Sequence, residues 1–170
     1  MRLLIDGYNL LFQSIVLDHS AQGKNAFRRA RGQLIQMVVD LIDESLRNQT
    51  MIVFDAKIAP PNLPDRYLQH GIQIVFARDW DSADELIQTE IRKHPTPKLL
   101  TVVSSDHAIH RKALARGAQV LDSDEWTDRQ RELRARLIRD AAKGDDSTQS
   151  IKERELSAEE KARWLNEFGF

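Results

Sequence analysis

Short apolar runs alternate with longer amphipathic segments along most of the chain, and this alternation predicts the fold. Each run has three to five residues and few polar interruptions, which is typical of strands covered on both faces. The predicted strands are Leu3–Ile5, Met51–Phe54, Ile72–Phe76, Leu99–Val103 and Gln119–Leu121. The predicted helices are Asn25 to about Arg47, Ser82 to about Lys93, His107–Arg116 and Glu125 to about Lys143. Strands that alternate with helices indicate an α/β protein with a mainly parallel, five-stranded sheet between two helical layers.

Two segments interrupt this pattern. The stretch AKIAPPNLPDRYLQHG, between the second and third strands, is rich in proline and predicts an irregular loop with a short turn. From Gly144 onwards the sequence GDDSTQS has nothing to bury, which predicts a linker. The chain is therefore predicted to divide into a main domain over 1–143, a polar linker over 144–156 and a helical tail over 157–170.

The tail sequence LSAEEKARWLNEFGF predicts a short C-terminal helix. Ser157 and Glu160 have the spacing of a capping box, and Trp164, Leu165 and Phe168 recur at helical spacing to form one apolar edge. Such an edge either docks on its own domain or binds a partner or a second copy of the chain. The sequence leaves the oligomeric state open.

Composition narrows the classes of function. The 170 residues include no cysteine, which excludes disulfides, thiolate zinc sites and a cysteine nucleophile. No stretch approaches the roughly 20 apolar residues that span a membrane, and no secretory signal is recognisable. We therefore expect a soluble, cytoplasmic protein with no membrane partner. The formal net charge of −1 neither favours nor opposes nucleic acid, so local patches must decide.

Acidic residues stand where the predicted strands end. Asp6, Asp55 and Asp106 follow the first, second and fourth strands, and Asp84 opens the helix after the third. The carboxyl ends of parallel strands share one edge of the sheet, where ligands bind in open α/β folds. Carboxylates gathered there repel one another unless a cation joins them, and Mg²⁺ or Mn²⁺ prefers such oxygen ligands. The pattern predicts a site for Mg²⁺ or Mn²⁺.

Most of these acids also have a purely structural explanation. Asp84 and Glu85 lie in a first helical turn, within the capping box SADE, where acids complement the helix dipole. Asp106 could cap the next helix, and Asp55 could belong to a turn. Asp6 is harder to explain in this way, because Gly-Tyr-Asn follows it as a tight polar turn. Chance alone rarely places acids at four strand ends, so the pattern as a whole favours a site.

Basic residues flank the acidic edge. The segment GKNAFRRAR carries no acid and opens the first predicted helix, close to Asp6. Helical periodicity places Arg31 towards the sheet, where it either reaches a phosphate or packs its stem and extends its head to solvent. The predicted substrate-binding residues are Lys24, Arg28, Arg31, His107 and Arg111. Basic flanks around an acidic centre suit a polyanion held against metal ions, as in phosphodiester chemistry.

The remaining sequence patterns indicate exposed surfaces or exclude particular classes of site. The arginines of the last predicted helix alternate with acids, which is typical of an exposed, ion-paired face. The spacing of His107 and His110 is also what two exposed polar residues would show, so it does not favour a catalytic or ligand role. The sequence contains no P-loop, no G-x-G-x-x-G fingerprint and no G-x-S-x-G elbow.

Five motifs together resemble a known family. The pieces LLIDGYNLL, ARGQLI, IVFDA, SADELI and VVSSD are similar, in this order, to those of the YacP-like branch of NYN domains, which belong to the PIN-like nucleases. The resemblance covers about residues 1–126 and gives the tail after Gly144 no counterpart in the family core. It implies a three-layer α/β/α PIN-like fold for the domain over 1–143.

The resemblance also implies an activity. The expected function is divalent-metal-dependent endoribonuclease activity on single-stranded RNA or mRNA. A characterised branch of the family cuts messenger RNA on the translating ribosome, so the ribosome is an expected partner. Carried over by motif, Asp6, Asp84 and Asp106 are metal ligands. Asn9 orients a ligand or a water, and Asp55 supports the site. The other candidates for a fourth acid are Glu85, Asp122 and Asp124.

Rival functions use the same fold. The principal one is a non-catalytic RNA- or ribosome-binding module, because a fold alone does not give activity. A nuclease acting on DNA, or a metal phosphatase acting on small phosphate esters, is a third class. The residues themselves do not distinguish RNA from DNA, so that preference comes from the resemblance.

Overall fold

The computed structural model describes residues 1–14 and 24–152. The strands are β1 (Leu3–Asp6), β2 (Thr50–Phe54), β3 (Arg66–Gln69), β4 (Ile72–Phe76), β5 (Thr101–Val103) and β6 (Gln119–Leu121). The helices are α1 (Gly7–Ser14), α2 (Lys24–Leu41), α3 (Glu44–Arg47), α4 (Ala83–Lys93), α5 (His107–Ala115) and α6 (Ser123–Lys152). Two single 3₁₀ turns cover Ala56–Ile58 and Pro97–Leu99.

The strands form one six-stranded sheet in the order β3-β4-β2-β1-β5-β6. All neighbours are parallel except β3 and β4, which are antiparallel. β1 lies in the middle of the sheet, with β2 on one side and β5 on the other. The strand order reverses at β1, so its carboxyl end is the place where open α/β sheets bind ligands.

The buried side chains separate into two clusters, which correspond to the two faces of the sheet. One cluster joins Ile5 and Phe54 to helices α1, α2 and the start of α6, including Trp126. The other joins Leu4 and Val53 to helices α4 and α5. Adjacent residues along β1 and β2 therefore face opposite layers. The predicted three-layer α/β fold is confirmed.

The predicted strand count of five was wrong, because residues 66–69 form a further strand within the expected loop. β3 joins β4 through His70 and Gly71, whose φ angles of 52° and 84° are both positive. Two such residues form the tight hairpin turn that matches the twist of an antiparallel pair. Exposed and partly buried side chains alternate along β3, as expected of an edge strand with one solvent-exposed face.

Three other boundaries differ from the predictions. Gly7 does not form a polar turn, because α1 begins there directly after β1. The first long helix ends at Leu41, and Asp43 caps the separate short helix α3 by accepting a hydrogen bond from the Ser45 amide at 2.8 Å. The fourth predicted strand starts two residues later than expected, at Thr101, because Leu99 belongs to a 3₁₀ turn.

Helix α6 passes the predicted end near Lys143 and continues to Lys152, so the first part of the predicted linker is helical. The predicted tail over 157–170 lies outside the described residues. The described residues up to 131 belong to one compact unit, and those from 132 to 152 belong to a second. The division at 143 and 156 stays a prediction. Within the described ranges, no helix has both the length and the apolar character that crossing a membrane requires.

Candidate active site

Four aspartates lie at the edge of the sheet that the carboxyl end of β1 defines. Asp6 is the last residue of β1, and Asp55 directly follows β2. Asp106 stands between β5 and α5, and Asp84 is the second residue of α4. We refer to Asp6, Asp55, Asp84 and Asp106 as the carboxylate cluster, because each acts electrostatically on at least one of the others.

Asp6 is the buried member of the cluster, with 7% of its surface exposed. The pKa of Asp6 is raised to about 6, mainly by burial, and the negative charges of Asp84 and Asp106 contribute to this rise. Two hydrogen bonds oppose this rise. The Asn9 amide donates to Oδ1 at 3.1 Å, and the Ser104 hydroxyl donates to Oδ2 at 3.0 Å.

The pKa of Asp84 is raised by the same kinds of cause as that of Asp6. Burial raises its pKa, and the charges of Asp106 and then Asp55 contribute to the rise. Asp55 is therefore the fourth acid of the cluster. Among the other candidates, Glu85 is exposed and accepts a hydrogen bond from the Asp81 amide at 3.2 Å. Asp124 is likewise exposed, with Oδ1 accepting from the Glu125 amide at 2.8 Å.

The structural explanations proposed for these acids also hold. Asp106 caps α5, and its Oδ1 accepts hydrogen bonds from the amides of Ala108 at 2.6 Å and Ile109 at 3.0 Å. Asp55 caps the 3₁₀ turn over 56–58 and accepts from the Lys57 amide at 2.8 Å. Capping fixes the position of each carboxylate at the sheet edge, so it is compatible with membership of the cluster.

The Ser104 hydroxyl connects the Asp6 carboxylate to the backbone of Asp106, and no sequence pattern indicated this role. The Ser104 hydroxyl, which is fully buried, donates to Asp6 and accepts from the Asp106 amide at 3.1 Å. It therefore joins the ends of β1 and β5. The His110 imidazole donates through Nε2 to the Ser104 carbonyl. His110 thus holds the loop that carries Asp106, a role that its helical spacing from His107 did not predict.

Asn9 is placed as the sequence predicted, beside the first acid, but its side chain is already engaged. Its Oδ1 accepts hydrogen bonds from the Ser105 amide at 2.9 Å and from the Ser123 hydroxyl at 2.8 Å. The Ser123 amide in turn donates to the Ser105 hydroxyl at 3.2 Å. Asn9 therefore connects the start of α1, the loop after β5 and the start of α6.

Arg31 occupies a buried aromatic pocket. Only 3% of its surface is exposed, and its guanidinium carbon lies 5.8 Å from the ring centre of Phe54 and 5.2 Å from that of Phe76. Burial raises the pKa values of Tyr8 and Tyr67, and the Arg31 charge opposes both rises. The alternative that placed the Arg31 head in solvent was wrong. The other alternative, contact with a phosphate, stays a prediction.

The remaining predicted substrate-binding residues lie on two helices, α2 and α5. Arg28 is exposed on α2, and His107 and Arg111 are exposed on α5. Lys24 is the first residue of α2. The ion-paired character predicted for the last helix is confirmed at Arg129, Arg131 and Arg136, whose partners are Glu125, Asp128 and Glu132.

The cluster has the oxygen ligands that a divalent metal ion prefers, but its side chains are not close enough together to coordinate one. The charges of neighbouring carboxylates raise the pKa values of Asp6 and Asp84, and a hard cation would relieve that repulsion. Across residues 1–14 and 24–152, however, no group of three or more His, Cys, Asp or Glu side chains is gathered closely enough to hold a metal ion. Mg²⁺ or Mn²⁺ therefore stays a prediction.

Burial of Asp6 makes stability depend on pH in a defined direction. Because the folded-state pKa is about 6 and the ordinary value is 3.8, the folded chain holds this proton more tightly than the unfolded chain. Without metal, we expect the Asp6 contribution to be favourable below about pH 4 and to be lost as pH rises towards 6–7, by about 3 kcal/mol. Urea unfolding in EDTA between pH 4 and 7.5, compared with Asp6→Asn, measures this contribution. Parallel curves for the two proteins would contradict it.

The chain matches the model of a known protein family over most of its length. The model of the family described as "YacP-like NYN domain" matches residues 3–168. The match includes the segment after Gly144, so the expectation that this segment has no counterpart in the family was wrong. Comparison with curated proteins gave no match.

Two similar solved structures are those of Rae1 (YacP) from Bacillus subtilis. The W164L mutant is 23% identical, with a TM-score of 0.61, over 93% of this chain and 88% of that chain. The second structure is 22% identical, with a TM-score of 0.58, over 100% of this chain and 99% of that chain. At these identities the likeness shows a shared fold.

Proposed function

Because the chain belongs to the YacP-like NYN domain family, we propose that it is a divalent-metal-dependent endoribonuclease that hydrolyses RNA phosphodiester bonds. NYN domains are PIN-like nucleases, and membership supports an RNase-type function. The observation that carries the finer proposal is the carboxylate cluster, in which Asp6 is buried beside two other carboxylates that raise its pKa. Acids held in this way are suited to bind a cation, which is a recurrent arrangement in enzymes that cleave phosphodiesters.

The residues of the chain have distinct parts in this reaction. Asp6, Asp84 and Asp106 would hold Mg²⁺ or Mn²⁺, which would polarise a phosphodiester and lower the pKa of a water molecule. The Ser104 hydroxyl fixes Asp6, and the amides of α5 fix one oxygen of Asp106. The exposed Arg111 supplies positive charge for the phosphate backbone.

Asp106→Asn tests the proposal without removing the cap of α5, because asparagine caps helices about as well as aspartate. Wild type and variant should be incubated with single-stranded RNA, with the matched DNA and with translating ribosomes, each in Mn²⁺ and in EDTA. We expect wild type with Mn²⁺ to cleave RNA, and we expect Asp106→Asn or EDTA to reduce cleavage by about 100-fold or more.

The products and the binding data separate the alternatives. Metal-assisted attack by water leaves a 5′-phosphate and a 3′-hydroxyl, so 2′,3′-cyclic phosphate ends would reject this route. RNA binding by wild type without cleavage on either substrate would favour the non-catalytic RNA- or ribosome-binding module. Cleavage confined to ribosomes would identify mRNA on the ribosome as the substrate. Cleavage of DNA as fast as RNA would contradict the preference for RNA.

A further inference from the structure

The chemistry of its neighbours fixes the orientation of the Asn9 amide. Oδ1 lies 2.9 Å from the Ser105 backbone nitrogen, and a backbone N–H can only donate. The oxygen of the amide, not its nitrogen, must therefore face Ser105. The Ser123 hydroxyl approaches the same oxygen at 2.8 Å and acts as a second donor.

This orientation determines what Asn9 can offer to a ligand. Its oxygen already accepts two hydrogen bonds, which matches the number of its lone pairs. Its amide nitrogen makes no hydrogen bond with the part of the chain that the structure describes. Asn9 therefore presents hydrogen-bond donors beside Asp6, and it has no oxygen lone pair left for a metal ion.

Ser123 is held in the position from which it can impose this orientation. It is fully buried as the first residue of α6. Its amide donates to the Ser105 hydroxyl at 3.2 Å, and its carbonyl accepts from the Thr127 hydroxyl at 2.8 Å. With backbone nitrogen and oxygen both bound, the Ser123 side chain is directed at Asn9 by a rigid backbone.

We infer that Ser123 is a positioning residue: through Asn9 it presents amide N–H donors to an oxygen of the substrate phosphodiester. This inference rests on the proposed function for the identity of the substrate. A phosphate oxygen is an acceptor only, so it matches the donors of Asn9. The carboxylates of the cluster are acceptors and cannot meet it without a cation. Asn9 would thus contact the phosphate directly and not through a cation.

A double-mutant cycle tests whether Ser123 acts through Asn9. Ser123→Ala should lower kcat on single-stranded RNA by about tenfold, the size of one buried hydrogen bond, with KM nearly unchanged. In the Asn9→Ala background the same substitution should have no further effect on kcat. Thr50→Val is the matched control, because Thr50 is a buried residue whose hydroxyl donates to a backbone carbonyl, that of Leu46 at 2.8 Å. It should lower the melting temperature to a similar extent and leave kcat unchanged.

A readout that does not depend on activity is the side-chain amide resonance of Asn9 in ¹⁵N-labelled protein, assigned with Asn9→Ala. Ser123→Ala should shift the two amide protons, whereas Thr50→Val should leave them in place. If Ser123→Ala fails to fold, Asn9→Asp is the second variant. It keeps an accepting oxygen towards Ser105 and removes both donor hydrogens, so it should lower kcat at least as much.

Two results would overturn the inference. One is an additive effect of the two alanine substitutions on kcat, and the other is an Asn9 amide resonance that does not respond to Ser123→Ala. If the proposed function fails instead, wild type cleaves no RNA, but the Asn9 amide resonance still responds to Ser123→Ala. The two failures are therefore distinguishable in one set of proteins.

Discussion

Asp6→Asn is expected to reduce RNA cleavage by about 100- to 1000-fold, because it removes the buried charge on which a cation at this site depends. The substitution preserves the shape of the side chain and keeps an oxygen to accept from the Asn9 backbone amide, while its new NH₂ group faces the Ser104 hydroxyl, which can accept a hydrogen bond. RNA affinity should hold or increase, because one negative charge leaves a surface that faces phosphates. Steady-state cleavage in Mn²⁺ and fluorescence anisotropy with the same RNA measure the two quantities.

The same substitution should make the metal-free protein more stable at neutral pH. Burial of the ionised Asp6 carboxylate is unfavourable, as its raised pKa shows, and the neutral amide avoids that cost. Asp43→Asn is the control, because Asp43 is an exposed capping residue of α3 and is not part of the cluster. It should leave both cleavage and stability close to wild type. Unchanged cleavage in Asp6→Asn would remove Asp6 from the site.

Gly7→Ala should destabilise the fold by about 1–3 kcal/mol, although alanine favours helices. A Cβ atom at Gly7 would lie 2.8 Å from the Val53 carbonyl oxygen and 2.6 Å from Cδ1 of Phe54. Neither group has room to move. The Val53 carbonyl belongs to the backbone of β2, and the fully buried Phe54 ring packs 5.2 Å from the Tyr8 ring.

Gly32→Ala is the matched control, and its effect should have the opposite sign. Gly32 lies on the exposed side of α2, and a Cβ atom there meets nothing within 4 Å. Alanine should then stabilise the protein by about 0.5–1 kcal/mol through helix propensity alone. Urea unfolding of the two variants measures both effects. Two shifts of the same sign would show that close packing at Gly7 does not determine the result.

The parts of the site that could be predicted are those that strand order determines. Asp6, Asp55 and Asp106 follow parallel strands, and parallel strands must end at the same edge, so their proximity follows from the fold class. Asp84 is similar, because the helix after β4 begins at that edge. The resemblance to NYN domains suggested metal-binding roles for these acids, and those roles stay a prediction.

The parts that could not be predicted depend on contacts between distant residues. Ser104 and Ser123 carry no periodic signal, and Ser123 meets Asn9 across 114 positions of sequence. Helical periodicity correctly placed Arg31 towards the sheet, but it could not reveal the aromatic rings that enclose the guanidinium. β3 was missed because prolines in the same segment indicate a loop, while its partner β4 and the turn at His70 and Gly71 make the strand.

The central position of β1 has a consequence for biosynthesis. β1 is made before both of its neighbours in the sheet, Thr50–Phe54 and Thr101–Val103. A growing chain cannot pair β1 with β5 until those later residues have left the ribosome, so Asp6 and Asp106 meet only late in synthesis. The nascent chain therefore carries its acids apart from one another. The carboxylate cluster is therefore assembled only after the residues up to Asp106 have left the ribosome.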